Sequence, residues 1–228
     1  MKKAMAKPVK PGVDPGFKPR ELRARTPNQE RYINAALQNQ VTLVSGPAGT
    51  GKTHIAVGMA IKMLRARQID KIILTRPLVG IGKDVGFFPG GLDEKVGPYL
   101  IPYFDELQYY LSYSMLVQLQ REKVIEAVPP FLLRGRTFNN AYIIMDEAQN
   151  ASCMELKTLL TRFGETSKMV IAGDFVQSDL PEYDQGAFKT VVDRLYDLDG
   201  IEHVPLTNKD IVRARIISEI LDRLTKGF

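Results

Sequence analysis

Short apolar runs alternate with longer amphipathic stretches along the chain from Thr26 onward. The runs are rich in Val, Ile and other large apolar residues at consecutive positions, which predicts strands buried on both faces of a sheet. Six strands are predicted, at Val41–Ser45, Ile72–Thr75, Val124–Val128, Tyr142–Met145, Lys168–Ala172 and Glu202–Leu206.

Between the strands, apolar residues recur at the three- and four-residue spacing of amphipathic helices. One helix is predicted to begin at Thr26-Pro27, because proline suits the first helical position. A loop rich in Gly and Pro is predicted over Arg76–Pro98. The other predicted helices are Lys52–Arg67, Tyr99–Glu122 with an interruption at Pro102, Met154–Phe163 closed by Gly164, Ala187–Tyr196 and Ile211–Leu224. This alternation predicts a single α/β domain, with helices on both faces of a mostly parallel sheet.

Residues 1–25 differ from the rest of the chain in composition. They contain four prolines, eight basic and two acidic residues, whereas the remainder has 23 basic and 24 acidic residues. We therefore predict a disordered basic tail over residues 1–25 and a folded domain over residues 26–228. The charge of the tail fits either binding of phosphate backbones without sequence preference or a solubilising extension.

The composition also excludes several classes of protein. A single cysteine, Cys153, excludes an intrachain disulfide, and with only two histidines it disfavours a zinc site. No apolar stretch is long enough to span a bilayer, and no apolar run follows the amino-terminal lysines as it would in a secretion signal. We therefore expect a cytoplasmic protein without a membrane partner.

A phosphate-binding motif follows the first predicted strand. Its pattern is G-x-x-x-x-G-K-[ST], and its residues are Gly46, Pro47, Ala48, Gly49, Thr50, Gly51, Lys52 and Thr53. Glycines let the backbone N–H groups face one centre, and the amino terminus of the following helix attracts anions to it. We predict that Lys52 contacts the β- and γ-phosphates of ATP, that Thr53 ligates Mg²⁺, and that His54 belongs to the same nucleotide-binding segment.

Two acids end the predicted strand Tyr142–Met145, and the carboxyl ends of such strands form the crevice in which α/β sheets bind ligands. Asp146 is predicted to hold Mg²⁺ through its water shell. Glu147 is predicted to be the general base that orients the attacking water. Gln177, after the next strand, is predicted to contact the γ-phosphate or that water. The alternative for all three is a polar surface turn.

Several longer strings accompany these motifs. They are Leu74-Thr75-Arg76-Pro77 with Gly86-Phe87-Phe88-Pro89-Gly90, Arg134-Gly135-Arg136-Thr137-Phe138-Asn139-Asn140 running into Met145-Asp146-Glu147-Ala148-Gln149-Asn150, Leu160-Thr161-Arg162 with Asp179-Leu180-Pro181, and Asp210-Ile211-Val212-Arg213. With them, the chain from Thr26 to Leu224 resembles the PhoH family of phosphate-loop ATPases, which are related to superfamily-one helicases. The resemblance implies a RecA-like domain that hydrolyses ATP and acts on RNA or other single-stranded nucleic acid. Lys83 departs from it, because the family usually has a glutamate there.

Further candidates each have a structural alternative. Gln29 either contacts the adenine, as the resemblance implies, or folds back on its helix start in a capping box. Arg76 lies beside the expected site or forms a surface ion pair. Arg213 resembles a late arginine of the family and contacts the γ-phosphate or forms an interior salt bridge. The aromatic residues between Tyr99 and Tyr113 fit a buried stripe, a subunit interface or a base-stacking surface.

The length of the chain bears on its assembly. Superfamily-one helicases place ATP between two such domains of one chain, and this chain has room for one. We therefore expect a homo-oligomer, a hexameric ring in which a neighbouring copy completes each ATP site. Two other functions stay open, a small-molecule kinase and a nucleotide-dependent regulator or scaffold that binds a protein partner.

Overall fold

The computed structural model describes residues 17–78, 92–181 and 185–212, with the side chains of the second range from Leu100 onward. The predicted features at Lys83 and Arg213, and the last predicted helix beyond Val212, lie outside the described residues.

Six parallel strands form one sheet in the order β3-β2-β4-β5-β1-β6. All six predicted strands are confirmed, with ends that shift by at most one residue. Their bounds are β1 Val41–Ser45, β2 Lys71–Thr75, β3 Ile125–Ala127, β4 Ala141–Met145, β5 Lys168–Gly173 and β6 Ile201–Pro205. The register brings the carboxyl ends of β1 and β5 together, because Ser45 pairs with Gly173.

Helices cover both faces of this sheet, as predicted. The first face is covered by α1 Pro27–Gln38, α2 Lys52–Arg65, α3 Leu92–Tyr110 and α4 Tyr113–Arg121, and the second by α5 Cys153–Leu160 and α6 Ala187–Leu195. Side chains of the central strands alternate between the two cores. In β4, Tyr142 and Ile144 belong to the first core, whereas Ile143 and Met145 belong to the second.

The prediction for the long helical stretch was wrong in two respects. Helix α3 begins at Leu92, so it takes in the last part of the predicted loop, and it continues through Pro102. The ring of Pro102 lies on the exposed side of the helix, where it displaces no core residue. The interruption comes instead at Ser112, whose hydroxyl accepts a hydrogen bond from Met115 N and caps α4.

Helix α5 ends three residues earlier than predicted, at Leu160. The chain beyond it turns towards the segment before β4, where Phe163 forms a bridge with Phe138. Gly164 N then donates to Phe138 O at 2.9 Å. Gly164 is therefore required for this close approach, and it does not end the helix.

Residues 17–25 form neither helix nor strand. Leu22 packs against the first core, and the guanidinium of Arg20 lies 4.4 Å from the centre of the Tyr109 ring. A Cβ on Gly58 of α2 would lie 2.6 Å from Tyr110 Oη and 3.0 Å from Leu22 Cδ1, so the close packing of both residues here favours glycine. The boundary at Arg25 stays a prediction. Within the described part of the chain, no helix is long and apolar enough to cross a membrane.

Candidate nucleotide-binding site

The phosphate loop connects β1 to α2 at the carboxyl edge of the sheet. Gly51 is the N-cap of α2 and has φ 87° and ψ 18°, a left-handed conformation that glycine adopts without strain. Gly46 passes close to the segment after β6, since a Cβ there would lie 2.7 Å from Leu206 O. Both positions need glycine to bring the loop backbone into its curled shape.

Lys52 lies across the mouth of this loop. Its Nζ donates to Gly46 O at 2.6 Å and to Pro47 O at 3.0 Å. Thr50, which is fully buried, donates its hydroxyl to the same Pro47 carbonyl at 2.8 Å. The ammonium group is therefore held against the phosphate loop, where a positive charge suits phosphate recognition.

Thr53 and Asp146 come together from two elements. The Thr53 hydroxyl, in the first turn of α2, donates to Asp146 Oδ2 at 2.6 Å. Asp146 follows β4 and is 5% exposed. Burial raises the pKa of its carboxyl above the usual range and the charge of Glu147 adds to this, while the Thr53 hydrogen bond and the Arg76 charge oppose it. A cation bound here would favour the ionised form.

This pair fits Mg²⁺ by the chemistry of its donors. A hydroxyl and a carboxylate are hard oxygen ligands, and Mg²⁺ is commonly bound by one or two such groups together with substrate phosphates and water. Among the described residues, no group of three or more His, Cys, Asp or Glu side chains is placed to hold a metal ion.

The position of Glu147 is set by its backbone conformation and by two side-chain hydrogen bonds. Its backbone is left-handed, with φ 55°, so the chain turns sharply after β4. Arg76 Nη2 donates to Glu147 Oε1 at 3.1 Å, and Gln149 Nε2 donates to Oε2 at 2.5 Å. Gln149 in turn accepts from Asp174 N at 2.9 Å, which links Glu147 to the end of β5. This link through Gln149 was not predicted.

A cleft of about 230 Å³ joins these residues. Its lining contains six of the nine predicted phosphate-loop and metal residues, but not Gly46, Pro47 or Thr50. It also contains two acids that were not predicted as site residues, Glu106 of α3 and Asp174. The lining residues are Ala48, Gly49, Gly51, Lys52, Thr53, His54, Glu106, Asp146, Glu147, Gln149, Asp174 and Gln177. Gln177 is thus placed at the cleft, and Arg76 reaches it through Glu147.

His54 points towards α3. Its Nδ1 lies 2.8 Å from Glu106 Oε2, and its Nε2 lies 2.9 Å from Tyr110 Oη. The ring packs edge-on against Tyr109, with ring centroids 4.9 Å apart. His54 therefore joins the loop to α3, and its predicted contact with nucleotide stays a prediction.

Gln29 lies under the phosphate loop and is 4% exposed. Its Nε2 donates to Thr50 O at 3.0 Å, and its Oε1 accepts from Arg25 N at 2.8 Å. Gln29 N donates to Thr26 Oγ1, which is half of a capping box, but the side chain reaches Arg25 N and not Thr26 N. One end of the amide thus holds the phosphate loop, and the other holds the chain just before α1. Contact with adenine stays a prediction.

The segment after β6 contacts the phosphate loop. Val212 N donates to Gly49 O at 3.1 Å, so this segment touches the phosphate loop directly. Asp210 is 1% exposed and accepts from the Thr26 hydroxyl at 2.5 Å and from Asn28 Nδ2 at 2.9 Å. It fixes the segment to the start of α1. No structural role of Asp210 was predicted.

The parallel sheet, the phosphate loop after β1 and the acidic pair after β4 define a phosphate-loop nucleotide-binding protein with a RecA-like domain. The PhoH-like protein family matches residues 21–225, and the chain belongs to this family.

The relatives cover most of this chain. A PhoH-like protein of Mycobacterium tuberculosis is 44% identical over 201 residues, which is 88% of this chain and 57% of the relative. A PhoH-like protein of Bacillus subtilis is 41% identical and covers 92% of this chain, and Protein PhoH of Escherichia coli is 34% identical and covers 87%. The chain spans 57%, 66% and 56% of their respective lengths.

Among solved structures, the chain is similar to the large terminase of a thermophilic bacteriophage. The TM-score is 0.57 at 12% identity, covering 86% of this chain and 49% of the terminase. A second structure of that terminase, in complex with ADP, gives a TM-score of 0.56. At this identity the likeness establishes the fold alone.

Proposed function

We propose that this domain binds ATP with Mg²⁺ and hydrolyses it, and that a ring of copies couples hydrolysis to single-stranded nucleic acid. The observation that carries the enzymatic part is the contact of Thr53 with Asp146 at 2.6 Å, next to the oriented carboxylate of Glu147. One edge of the sheet thus supplies phosphate donors, cation ligands and a base.

Each step then has a residue in the cleft. The loop N–H groups and Lys52 bind the β- and γ-phosphates, and Thr53 with Asp146 binds the cation, which when present neutralises phosphate charge. Glu147 orients a water towards the γ-phosphorus and accepts its proton as the bond to the leaving ADP oxygen breaks. Gln177 lies where its amide contacts that water or the phosphate.

Hydrolysis is favoured over transfer to a small acceptor by the surroundings of Glu147. Its side chain is 37% exposed, so water reaches the carboxylate within the described cleft. Two amides, from Gln149 and Gln177, flank the cleft and suit the orientation of a water molecule. A kinase site would instead exclude water from the γ-phosphate.

The test is phosphate release from ATP without any added acceptor. We expect turnover that requires Mg²⁺ and is abolished in Lys52→Ala, because the loop then lacks its phosphate cation. Lys189→Ala on the exposed face of α6 is the matched control and should turn over at the wild-type rate. Release only after an acceptor is added would point to a kinase.

The same assay with GTP tests Gln29, since contact with adenine predicts a preference for ATP.

The cleft supports the proposal of a ring. Its described lining comes from one face of one chain, and no arginine lines it. Arg162 is another candidate for the arginine that completes the site. It donates to Arg136 O at 3.4 Å and to the Thr161 hydroxyl at 3.1 Å, just after the carboxyl end of α5. We therefore propose that Arg213 or another arginine of a neighbouring copy completes the site in a hexamer. Light scattering with ATP and Mg²⁺ that gives a monomer mass would exclude this arrangement.

A surface for nucleic acid is proposed at the end of β3. A short 3₁₀ helix, Pro130–Leu133, exposes Phe131 and Leu132, which are 44% and 40% accessible. Arg134 follows it and is exposed, and Arg136 stacks its guanidinium 4.6 Å from the centre of the Phe138 ring. An exposed ring, that of Phe131, beside arginines fits bases and phosphates of a single strand.

Fluorescence polarisation with a single-stranded RNA tests this surface. We expect salt-sensitive binding by the wild type, and about tenfold weaker binding by the double variant Phe131→Ala and Arg134→Ala, which removes one stacking ring and one phosphate contact. Lys189→Ala should bind like the wild type. Unchanged binding by the double variant would place the nucleic acid elsewhere, and no binding by the wild type would remove the nucleic-acid part of the proposal.

A further inference from the structure

Tyr103 of α3 bridges the carboxyl ends of β2 and β4, next to the proposed cation ligand Asp146. Its hydroxyl donates to Thr75 O, the last residue of β2, at 2.8 Å, and accepts from Asp146 N at 2.8 Å. The residue is 1% exposed, so neither bond is replaced by solvent while the helix stays in place. The Tyr103 hydroxyl thus both donates and accepts a backbone hydrogen bond at the edge of the nucleotide cleft.

The strands themselves hold Asp146 weakly at this point. Asp146 N also donates to Thr75 O, but at 3.3 Å, which is long for an N–H···O bond. Thr75 pairs with Met145, the last residue of β4, so Asp146 lies just beyond the regular ladder. Without Tyr103, the position of the Asp146 backbone rests on this long bond and on the turn that follows.

From this geometry we propose that Tyr103 is a positioning residue for Asp146, and through it for the cation ligand of the site. The inference rests on the proposed function, since it gives Asp146 its role towards Mg²⁺. Tyr103 holds the carboxylate where its Oδ2 meets the Thr53 hydroxyl at 2.6 Å. The two cation ligands are thereby kept together before nucleotide binds, which lowers the ordering that binding requires.

The same face of helix α3 also contacts His54, at the start of α2. Glu106 and Tyr110 lie three and seven residues after Tyr103, one and two turns along α3, and both contact His54, the residue after Thr53. Both cation ligands therefore have a support on α3, Asp146 through Tyr103 and Thr53 through its neighbour. The aromatic stretch of the sequence is in part this support, because Tyr103 and Tyr110 are each 1% exposed and cannot stack on bases.

The chain offers a matched control for removal of this hydroxyl. Tyr142 of β4 is fully buried in the same core as Tyr103, and its hydroxyl has no hydrogen-bond partner among the described residues. Tyr103→Phe and Tyr142→Phe therefore make the same chemical change at similar burial. They differ in whether hydrogen bonds to the site are lost.

The test is binding of a fluorescent ATP analogue, titrated with MgCl₂ and repeated in EDTA, with melting temperatures of both variants measured alongside. We expect Tyr103→Phe to need about three- to tenfold more Mg²⁺ for half-maximal binding, as for the loss of one or two hydrogen bonds, with affinity in EDTA unchanged. Tyr142→Phe should match the wild type in both titrations.

Two outcomes would overturn the assignment. One is a Tyr103→Phe variant with the Mg²⁺ dependence of Tyr142→Phe, whatever its melting temperature, which makes Tyr103 a core residue only. The other is an equal loss of affinity with and without Mg²⁺, which makes its effect independent of Asp146. Failure of the proposed function is separate from both, because the wild type itself would then bind the analogue without any response to Mg²⁺.

Discussion

Glu147→Gln is expected to bind ATP and to lose hydrolysis by about 10²- to 10⁴-fold, the usual loss when a general base is removed. The amide keeps the shape of the side chain, and its oxygen still accepts a hydrogen bond from Arg76, so the ATP site should stay assembled. Its nitrogen can no longer accept from Gln149, so that one bond is lost. What is lost is the group that takes the proton from water. Single-turnover phosphate release and equilibrium binding of ATP, measured on the same preparation, separate the two effects.

The control for this variant is Glu165→Gln, at an exposed turn before β5. It makes the same change of charge away from the cleft and should hydrolyse ATP at the wild-type rate. Normal turnover by Glu147→Gln would refute the assignment of Glu147 as base. Lost ATP binding would instead mean that the charge of Glu147 holds the site together through Arg76.

Most of the fold could be predicted from sequence because its strands are buried on both faces. Between turn signals, a continuous apolar run as short as Tyr142–Met145 favours a buried strand, and β4 extends it by one residue. The phosphate loop could be placed for a similar reason, since spacing and a strand–loop–helix context coincide. The limits of the helices were less predictable. Proline favours an interruption at Pro102, but α3 continues through it with that residue on its exposed side.

The links within the site could not be predicted, because they join residues far apart in sequence. Tyr103 meets Asp146 across 43 positions, and Gln149 meets Asp174 across 25. The sequence does not show whether the hydroxyl of a tyrosine in an amphipathic helix bonds to a strand end or has no partner in the core. The sequence strings that resemble the family contain Gln149 and Asp210, but a string does not show which bonds its residues form.

Asp210 is the clearest example of such a link, and it joins the two ends of the described domain. It accepts from Thr26 and Asn28 at the start of α1, and from Thr207 N at 2.8 Å within its own turn. Burial acts to raise the pKa of its carboxyl, but the hydrogen bonds from Asn28, Thr26 and Thr207 outweigh burial and hold the pKa below its usual value.

Asp210→Ala is expected to destabilise the domain by about 2–4 kcal/mol, because several donors lose a charged acceptor in a region that solvent barely enters. For a chain of this size that corresponds to a fall in melting temperature of roughly 5–15 °C. ATP affinity should fall as well, since Val212 N, two residues on, contacts the phosphate loop at Gly49 O. Asp197→Ala, an exposed acid after α6, should change neither property.

The pH dependence distinguishes loss of the ionised carboxylate from loss of packing. Because the folded pKa of Asp210 lies below the unfolded value of about 3.9, its ionised form stabilises the fold fully above that value and stops doing so as the pH falls through the folded pKa. The urea midpoint of the wild type should therefore exceed that of Asp210→Asn at pH 7, and the difference should shrink below about pH 4. A difference that stays constant down to acid unfolding would mean that shape, and not charge, holds the carboxyl-terminal segment against the phosphate loop.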